Sequence, residues 1–276
     1  MTNSLCLWAA FLKRLFPISL LLACILTACS PVAAPAAGAP DSQNLIVFAA
    51  ASLTDAFTEI GGNFEAQNPG VAVTFNFGGS QMLRTQIEEG APVDVFASAN
   101  AEEMALLIRS GFVVEASSRI FLTNELVLIL PADNPAGIDS LEDLSASGVK
   151  LVLAAEEVPV GKYSRQALEK MTASFGVDFK DKVLANVVSN EDNVRQVVAK
   201  VQLGEADAGI VYISDAVAVP ELRIIEIPAD LNAAAAYPIA PLTGSANIAL
   251  AEKFVDYVLS NEGQAALRKW GFGPVP

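Results

Sequence analysis

Histidine is absent from all 276 residues, which excludes Cys/His zinc sites and nucleophile triads built on an imidazole base. Cysteine is nearly absent. Cys6 and Cys24 lie in an N-terminal segment that reads as discarded, so only Cys29 survives and no internal disulfide can form. Long apolar runs are missing as well: the stretch from Leu15 to Leu26 falls short of the roughly 20 residues that span a bilayer. Basic residues are few, 17 against 31 acidic ones for a net charge of −14, and the excess of acid grows once Lys13 and Arg14 are removed. Such a chain is a poor partner for nucleic acid. An anionic ligand would be opposed by the overall charge, so its site would have to work by dipoles and hydrogen bonds within a screening length of ~8 Å. No Gly-x-x-x-x-Gly-Lys-Ser/Thr loop occurs, and the chain is therefore not itself an ATP-driven motor.

The N-terminus has the order of a secretory signal: the pair Lys13 and Arg14, the apolar run, then Leu26, Thr27, Ala28 and Cys29. Those last four residues resemble a bacterial lipobox, in which the cysteine is diacylated and becomes the new N-terminus. Residues 1–28 are thus expected to be a lipoprotein signal peptide, with lipidation at Cys29. Residues 29–44, rich in Pro, Ala and Gly without periodicity, read as a flexible tether reaching roughly 20 Å. The remainder, about 230 residues, suffices for one large core or two small ones.

From Leu45 onward, strand and helix patterns alternate as in parallel sheets covered by helices. Leu45–Ala49, Val71–Phe77 and Val93–Ala97 read as strands. Ser52–Phe64 reads as a helix opened by Ser52 and Asp55 in capping-box order. Gly78, Gly79 and Ser80 turn into a helix carrying Leu83 and Ile87, and another helix covers Glu102–Arg109. A second set contains strands at Leu126–Leu130, Val149–Ala154, Val183–Val188 and Gly209–Ile213. Its helices begin after Pro159-Val160-Gly161 and after Asn190–Asn193. Two more helices, Ile248–Leu259 and Glu262–Trp270, close the chain.

Four turns share one feature, a strand end followed by a small or polar residue and a helix start: Ala51-Ser52, Gly79-Ser80, Val160-Gly161 and Asn193-Val194. A helix start leaves backbone N–H groups unpartnered and carries about half a positive charge. Facing helix starts at the carboxyl ends of strands would bind an anion without any cationic side chain. Taken singly, Ser52 and Ser80 read as N-caps and Tyr212 as a core tyrosine. Asp94 reads as a structural cap, and Arg165 and Arg195 as solvated surface charges. A serine hydrolase using Ser52 is a competing reading, but Ala-Ala-Ala-Ser-Leu lacks the Gly-x-Ser-x-Gly elbow and no imidazole base exists.

Taken together, six segments change the weighing: Phe48-Ala-Ala-Ala-Ser52-Leu-Thr-Asp55, Phe77-Gly-Gly-Ser80, Gly90-Ala-Pro-Val-Asp-Val-Phe-Ala-Ser98, Val158-Pro-Val-Gly161, Glu191-Asp-Asn-Val194-Arg195 and Gly209-Ile-Val-Tyr212-Ile-Ser-Asp-Ala. In this order and spacing they resemble the molybdate-binding proteins of ABC importers. The closing Leu259-Ser-Asn-Glu-Gly-Gln264 and Trp270-Gly-Phe272 are similar to type II solute-binding proteins in general. The resemblance implies an α/β fold of two lobes, each a mostly parallel sheet flanked by helices and joined by two hinge connections. Lobe 1 would comprise 45–123 and 237–276, lobe 2 124–236, with hinges near Leu122–Asn124 and Ala236–Pro238.

The same resemblance implies the ligand set. Ser52 and Ser80 would each give a hydroxyl and a backbone N–H, Val160 and Val194 a backbone N–H, and Tyr212 its phenol O–H. The ligand would be molybdate, with tungstate nearly indistinguishable, held through its oxygens with no direct metal-ion coordination, no cofactor and no catalysis. The partners implied are a permease with its ATPase and, through Cys29, the outer face of the cell membrane; the protein would act as a monomer. Another tetrahedral oxyanion such as sulfate is the alternative.

Overall fold

The computed structural model describes residues 43–275; the segments read as signal peptide and tether up to residue 42, with Cys29, lie outside the described residues. Two five-stranded sheets organise the chain. The first has the order β2-β1-β3-β10-β4, from β1 (Gln43–Ala50), β2 (Val71–Gly78), β3 (Val95–Ala97), β4 (Arg119–Asn124) and β10 (Ala235–Pro241). The second has the order β7-β6-β8-β5-β9, from β5 (Leu126–Leu130), β6 (Leu151–Ala154), β7 (Val187–Glu191), β8 (Ala208–Tyr212) and β9 (Arg223–Glu226). Nine helices flank them among the described residues: α1 (Thr54–Gln67), α2 (Ser80–Glu88), α3 (Ala101–Arg109), α4 (Pro159–Phe175), α5 (Phe179–Ala185), α6 (Val194–Gln202), α7 (Ile213–Val217), α8 (Ile248–Leu259) and α9 (Asn261–Lys269).

The burial of each strand follows from its place. β3, β5, β6 and β8 lie inside their sheets under helices on both faces, and every residue in them is buried. This is why they read as apolar runs without a charged residue, Leu126–Leu130 and Leu151–Ala154 being wholly aliphatic. The edge strands β2 and β7 have one protected face and alternate between partly buried and exposed positions along much of their length. Around α1 the first core is aromatic: Phe57 meets Phe121 at 5.9 Å and Phe254 at 6.1 Å, and Phe64 meets Phe254 edge-on at 5.2 Å. Each such ring adds roughly 1.5–3 kcal/mol by burial alone.

In each sheet four of the five strands run the same way, as expected of a mostly parallel sheet, and one strand, β10 or β5, opposes its neighbours. β1 runs parallel to β2 and β3, and β6 to β7 and β8, but β10 is antiparallel to β3 and β4 and β5 is antiparallel to β8 and β9. The antiparallel strands are those through which the chain passes between sheets, and such a pair needs no crossover helix. Other expectations need correction. Gln43 and Asn44, assigned to the tether, are the first residues of β1 and pair with Val71 and Ala72. Val183 and Leu184 are helical in α5 rather than part of a strand, since a short apolar run fits either period and Phe179 and Val183 bury one helical face. No capping box opens α1: a 3-10 turn at Ala51–Leu53 precedes it, and neither start has a side-chain cap.

The passage between sheets is compact. Only Glu125 separates β4 from β5, and residues 227–234 return from β9 to β10. Segments read as hinges, Leu122–Asn124 and Ala236–Pro238, are therefore strand residues that pair with one another, Ala236 with Thr123 and Tyr237 with Leu122. Asn232 pins the return: its amide accepts from Leu126 N–H at 3.0 Å and donates to the Leu126 and Ile227 carbonyls.

Candidate functional site

All four helix-start turns arrive at one place. Ser52, in the 3-10 turn after β1, and Ser80, the first residue of α2, come from the first half. Val160, the second residue of α4, Val194, the first residue of α6, and Tyr212, the last residue of β8, come from the second. These five sequence-predicted residues line a single hollow with Gly79, Ala99 and Asn193, and each of the five is buried. The volume enclosed is about 10 Å³. That is close to one water-sized sphere and far below the ~300–1,000 Å³ of a pocket for a drug-sized molecule. The geometry therefore selects a ligand of very few atoms.

Local sequence explains how the backbone gets so close. Pro159 occupies the first position of α4, where its missing N–H costs nothing. Gly161 follows because a Cβ there would collide with the carbonyls of Ala154 and Ala155 at the end of β6. Asn193 caps α6 by accepting from Gln196 N–H at 3.2 Å, which leaves the Val194 amide free of an intrahelical partner. Val160 and Val194 can thus be plain hydrophobes, because a helix-start N–H is a main-chain donor whatever side chain accompanies it.

The two serine hydroxyls are already half-committed. Ser80 Oγ accepts from the backbone N–H of Ala99 at 3.0 Å, so its own proton is available to the hollow. Ser52 Oγ stands 3.0 Å from Tyr237 Oη. Tyr212 Oη is buried with no hydrogen-bond partner in the protein, an arrangement that costs roughly 1–3 kcal/mol unless a ligand accepts from it. Burial raises the pKa of this phenol well above its usual range, so it remains a donor. No charged side chain lines the hollow; the arrangement offers hydrogen-bond donors and helix-start dipoles and no carboxylate.

Contacts across the cleft hold it shut. Arg195 pairs with Asp55 of the first half and donates to the Ala51 carbonyl at 3.3 Å, while its Nε lies 3.1 Å from Asp215 Oδ1. Lys162 pairs with Glu102, and Gln81 Nε2 donates to the Asp192 carbonyl at 3.2 Å. Arg195 is therefore no solvated surface charge. Nor is Arg165, which donates to the carbonyls of Ala154 and Gly161 at 2.9 Å and to Asn190. Asp94 has a structural role, accepting from Ile46 N–H and Ser245 Oγ.

Over residues 45–273 the sequence matches the family described as bacterial extracellular solute-binding protein. The chain belongs to that family. Among its relatives, the molybdate-binding protein ModA of Mycobacterium tuberculosis is 38% identical over 259 residues, covering 92% of this chain and 95% of the relative. A solved substrate-binding domain of a putative molybdenum ABC transporter from Clostridium difficile is 33% identical, with a TM-score of 0.64 over 85% of this chain and all of that one. The sulfate-binding protein SubI of M. tuberculosis shares the fold, with a TM-score of 0.77 at 19% identity over 84% of this chain and 87% of that one.

Solute-binding proteins of this family serve transport, and the chain is not an enzyme; the serine-hydrolase reading falls away. Within the family's two-lobed fold, several neighbours of the hollow escaped sequence reasoning. Tyr237 and Asn124, which stand behind Ser52, were seen only as hinge positions. Asp55 and Asp215 gave no sign that they would meet Arg195, because the three are brought together by tertiary structure from α1, α6 and α7. The one available signal was an arginine directly after a helix-start residue, as at Val194-Arg195.

Proposed function

We propose that this protein captures molybdate, and tungstate equally, between its two lobes and delivers it to the permease of an ABC importer. The observation that carries this reading is a hollow of a few atoms' size, walled by donors from both halves and by no carboxylate. Ser52 and Ser80 would each give a hydroxyl and an N–H, Val160 and Val194 an N–H, and Tyr212 its phenol. About seven charge-assisted bonds at ~1.5–3 kcal/mol amount to a gross ~10–20 kcal/mol. Against an association cost of ~4–15 kcal/mol, that is compatible with micromolar to sub-nanomolar affinity.

Selectivity follows from protons. Molybdate and tungstate are fully ionised dianions near neutral pH and need donors only, whereas hydrogen phosphate carries a proton that wants an acceptor. Sulfate is also a bare dianion, and only the size of the hollow distinguishes it. The lobes are taken as 45–123 with 237–276 against 124–236, closing as rigid bodies about the paired β4 and β10 strands. The mature chain is proposed to be a monomer tethered through lipid on Cys29 at the outer membrane face.

A thermal-shift panel on the soluble domain tests the ligand. Molybdate and tungstate should raise the midpoint strongly and by similar amounts, sulfate less and phosphate least; an equal or larger shift with sulfate would replace the assignment by the alternative oxyanion. For the anchor, Cys29→Ser should move the protein from the membrane fraction to the soluble one, and unchanged membrane association would refute it.

A further inference from the structure

The two pocket serines are held by different groups. Ser80 Oγ is fixed by a main-chain N–H, whereas Ser52 Oγ meets the side chain of Tyr237, and both of those oxygens belong to buried residues. Between two hydroxyls the direction of donation is open, but one step further back it is set. Asn124 Oδ1 accepts from the backbone N–H of Glu125 at 3.1 Å, which fixes the amide so that its NH₂ group faces inward. One of those protons goes to Ser214 Oγ at 2.9 Å and the other to Tyr237 Oη at 3.3 Å. The Tyr237 oxygen is then an acceptor toward Asn124, and the hydrogen-bond acceptor within reach of its own proton is Ser52 Oγ. Were the last bond reversed, the phenol proton would have to turn toward the neighbouring Tyr212, whose hydroxyl makes no hydrogen bond in the protein, a poorer arrangement than the bond to Ser52 Oγ at 3.0 Å.

Resting on the oxyanion reading above, we infer that Tyr237 is a specificity-positioning residue: the relay Asn124 to Tyr237 to Ser52 commits the Ser52 hydroxyl to donate into the pocket, favouring fully ionised oxyanions over those that carry a proton. A serine free to rotate can turn either of its two lone pairs toward a protonated ligand; one that already accepts from a phenol has its proton to give and one lone pair fewer to offer. Burial raises the phenol's pKa far above neutral, so the relay keeps its proton. Tyr237 and Asn124 sit on β10 and β4, the strands joining the halves, and Ser214 belongs to α7, so the relay is complete only when these elements meet.

Tyr237→Phe deletes the hydroxyl and keeps the ring against Phe121, Tyr212 and Phe272. The experiment is calorimetric titration of the whole soluble domain with sodium molybdate and with sodium phosphate, for Tyr237→Phe, Ser52→Ala and the double variant. In the parent background Tyr237→Phe should weaken molybdate roughly tenfold, as expected for one charge-assisted bond, and shrink the molybdate-to-phosphate ratio. In the Ser52→Ala background it should change molybdate binding less than about twofold, because the effect acts through Ser52. An equal cost in both backgrounds, or an unchanged ratio, overturns the relay. If the parent binds sulfate and not molybdate, the ligand assignment fails and the same cycle run with sodium sulfate still decides the relay. Should Tyr237→Phe prove unfolded by circular dichroism, Asn124→Ala replaces it, with a smaller loss expected that again vanishes without the Ser52 hydroxyl; persistence of that loss overturns the proposal.

Discussion

The two halves of the pocket offer donors of different kinds. Beside the main-chain N–H groups of Ser52 and Ser80, the first half presents their side-chain hydroxyls, each steadied by a second group, Tyr237 or the Ala99 amide. From the second half come two main-chain amides under valine side chains and one phenol without a protein partner. Backbone donors are fixed by the helix that carries them and need no supporting shell. Hydroxyls rotate, so their direction has to be imposed from behind. Point substitutions should therefore be felt very differently on the two sides.

The largest effect is expected from Ser52→Ala combined with Ser80→Ala. Losing two charge-assisted bonds should weaken molybdate binding by at least ~2 kcal/mol, read by calorimetry, and unchanged affinity would discard the hydroxyl half of the site. A sharper contrast comes from Val194, the first residue of α6. Val194→Ala leaves the amide in place and should barely alter affinity, although stability falls by about 1.5 kcal/mol for two buried methyl groups. Val194→Pro is tolerated at a first helical position, since Asn193 before it is extended, yet it removes the N–H and should cost ~1.5–3 kcal/mol of binding. Equal affinities for the alanine and proline variants would mean that this amide does not donate.

The smallest effect on ligand binding concerns the contacts behind the pocket, which act on stability instead. Asp215 is fully buried, and desolvation raises its pKa to about 7, opposed by the charge of Arg195 and the Tyr212 backbone and aided by the charge of Asp55. A carboxyl with a higher pKa folded than unfolded binds more protons in the native state, so its contribution to stability is lost as pH rises from about 4 through about 7. Asp215→Asn removes this titration. Between pH 5 and pH 8 the melting midpoint of the parent should therefore fall relative to that of the variant; a gap independent of pH would show that Asp215 does not titrate there.

Much of the fold was legible because helix and strand differ in period. α2, α3, α6 and α8 were readable from apolar spacing and their starting residues, and the buried strands from apolar runs. What escaped was the part of the chain without a period of its own. β4 and β10 pair with each other across more than a hundred residues of chain, and that pairing is decided by how the chain crosses between sheets. β9 is a largely exposed edge segment, and α7 is five residues long. The five pocket residues were found from turn chemistry and motif order; Tyr237 and Asn124 were not, since nothing near them in the chain marks them as neighbours of Ser52.

The sequence by itself determined which residues start helices after strands, and so where unpartnered amides and hydroxyls would be, because capping and periodicity are local properties. It also excluded imidazole chemistry through the histidine it lacks. Only the tertiary structure decided that four such starts, from both sheets, meet around one hollow, that Arg195 lies between two carboxylates, and which way the Ser52 proton points. Those depend on groups up to 185 residues apart in the chain, and the distance between them is set by how the two sheets join.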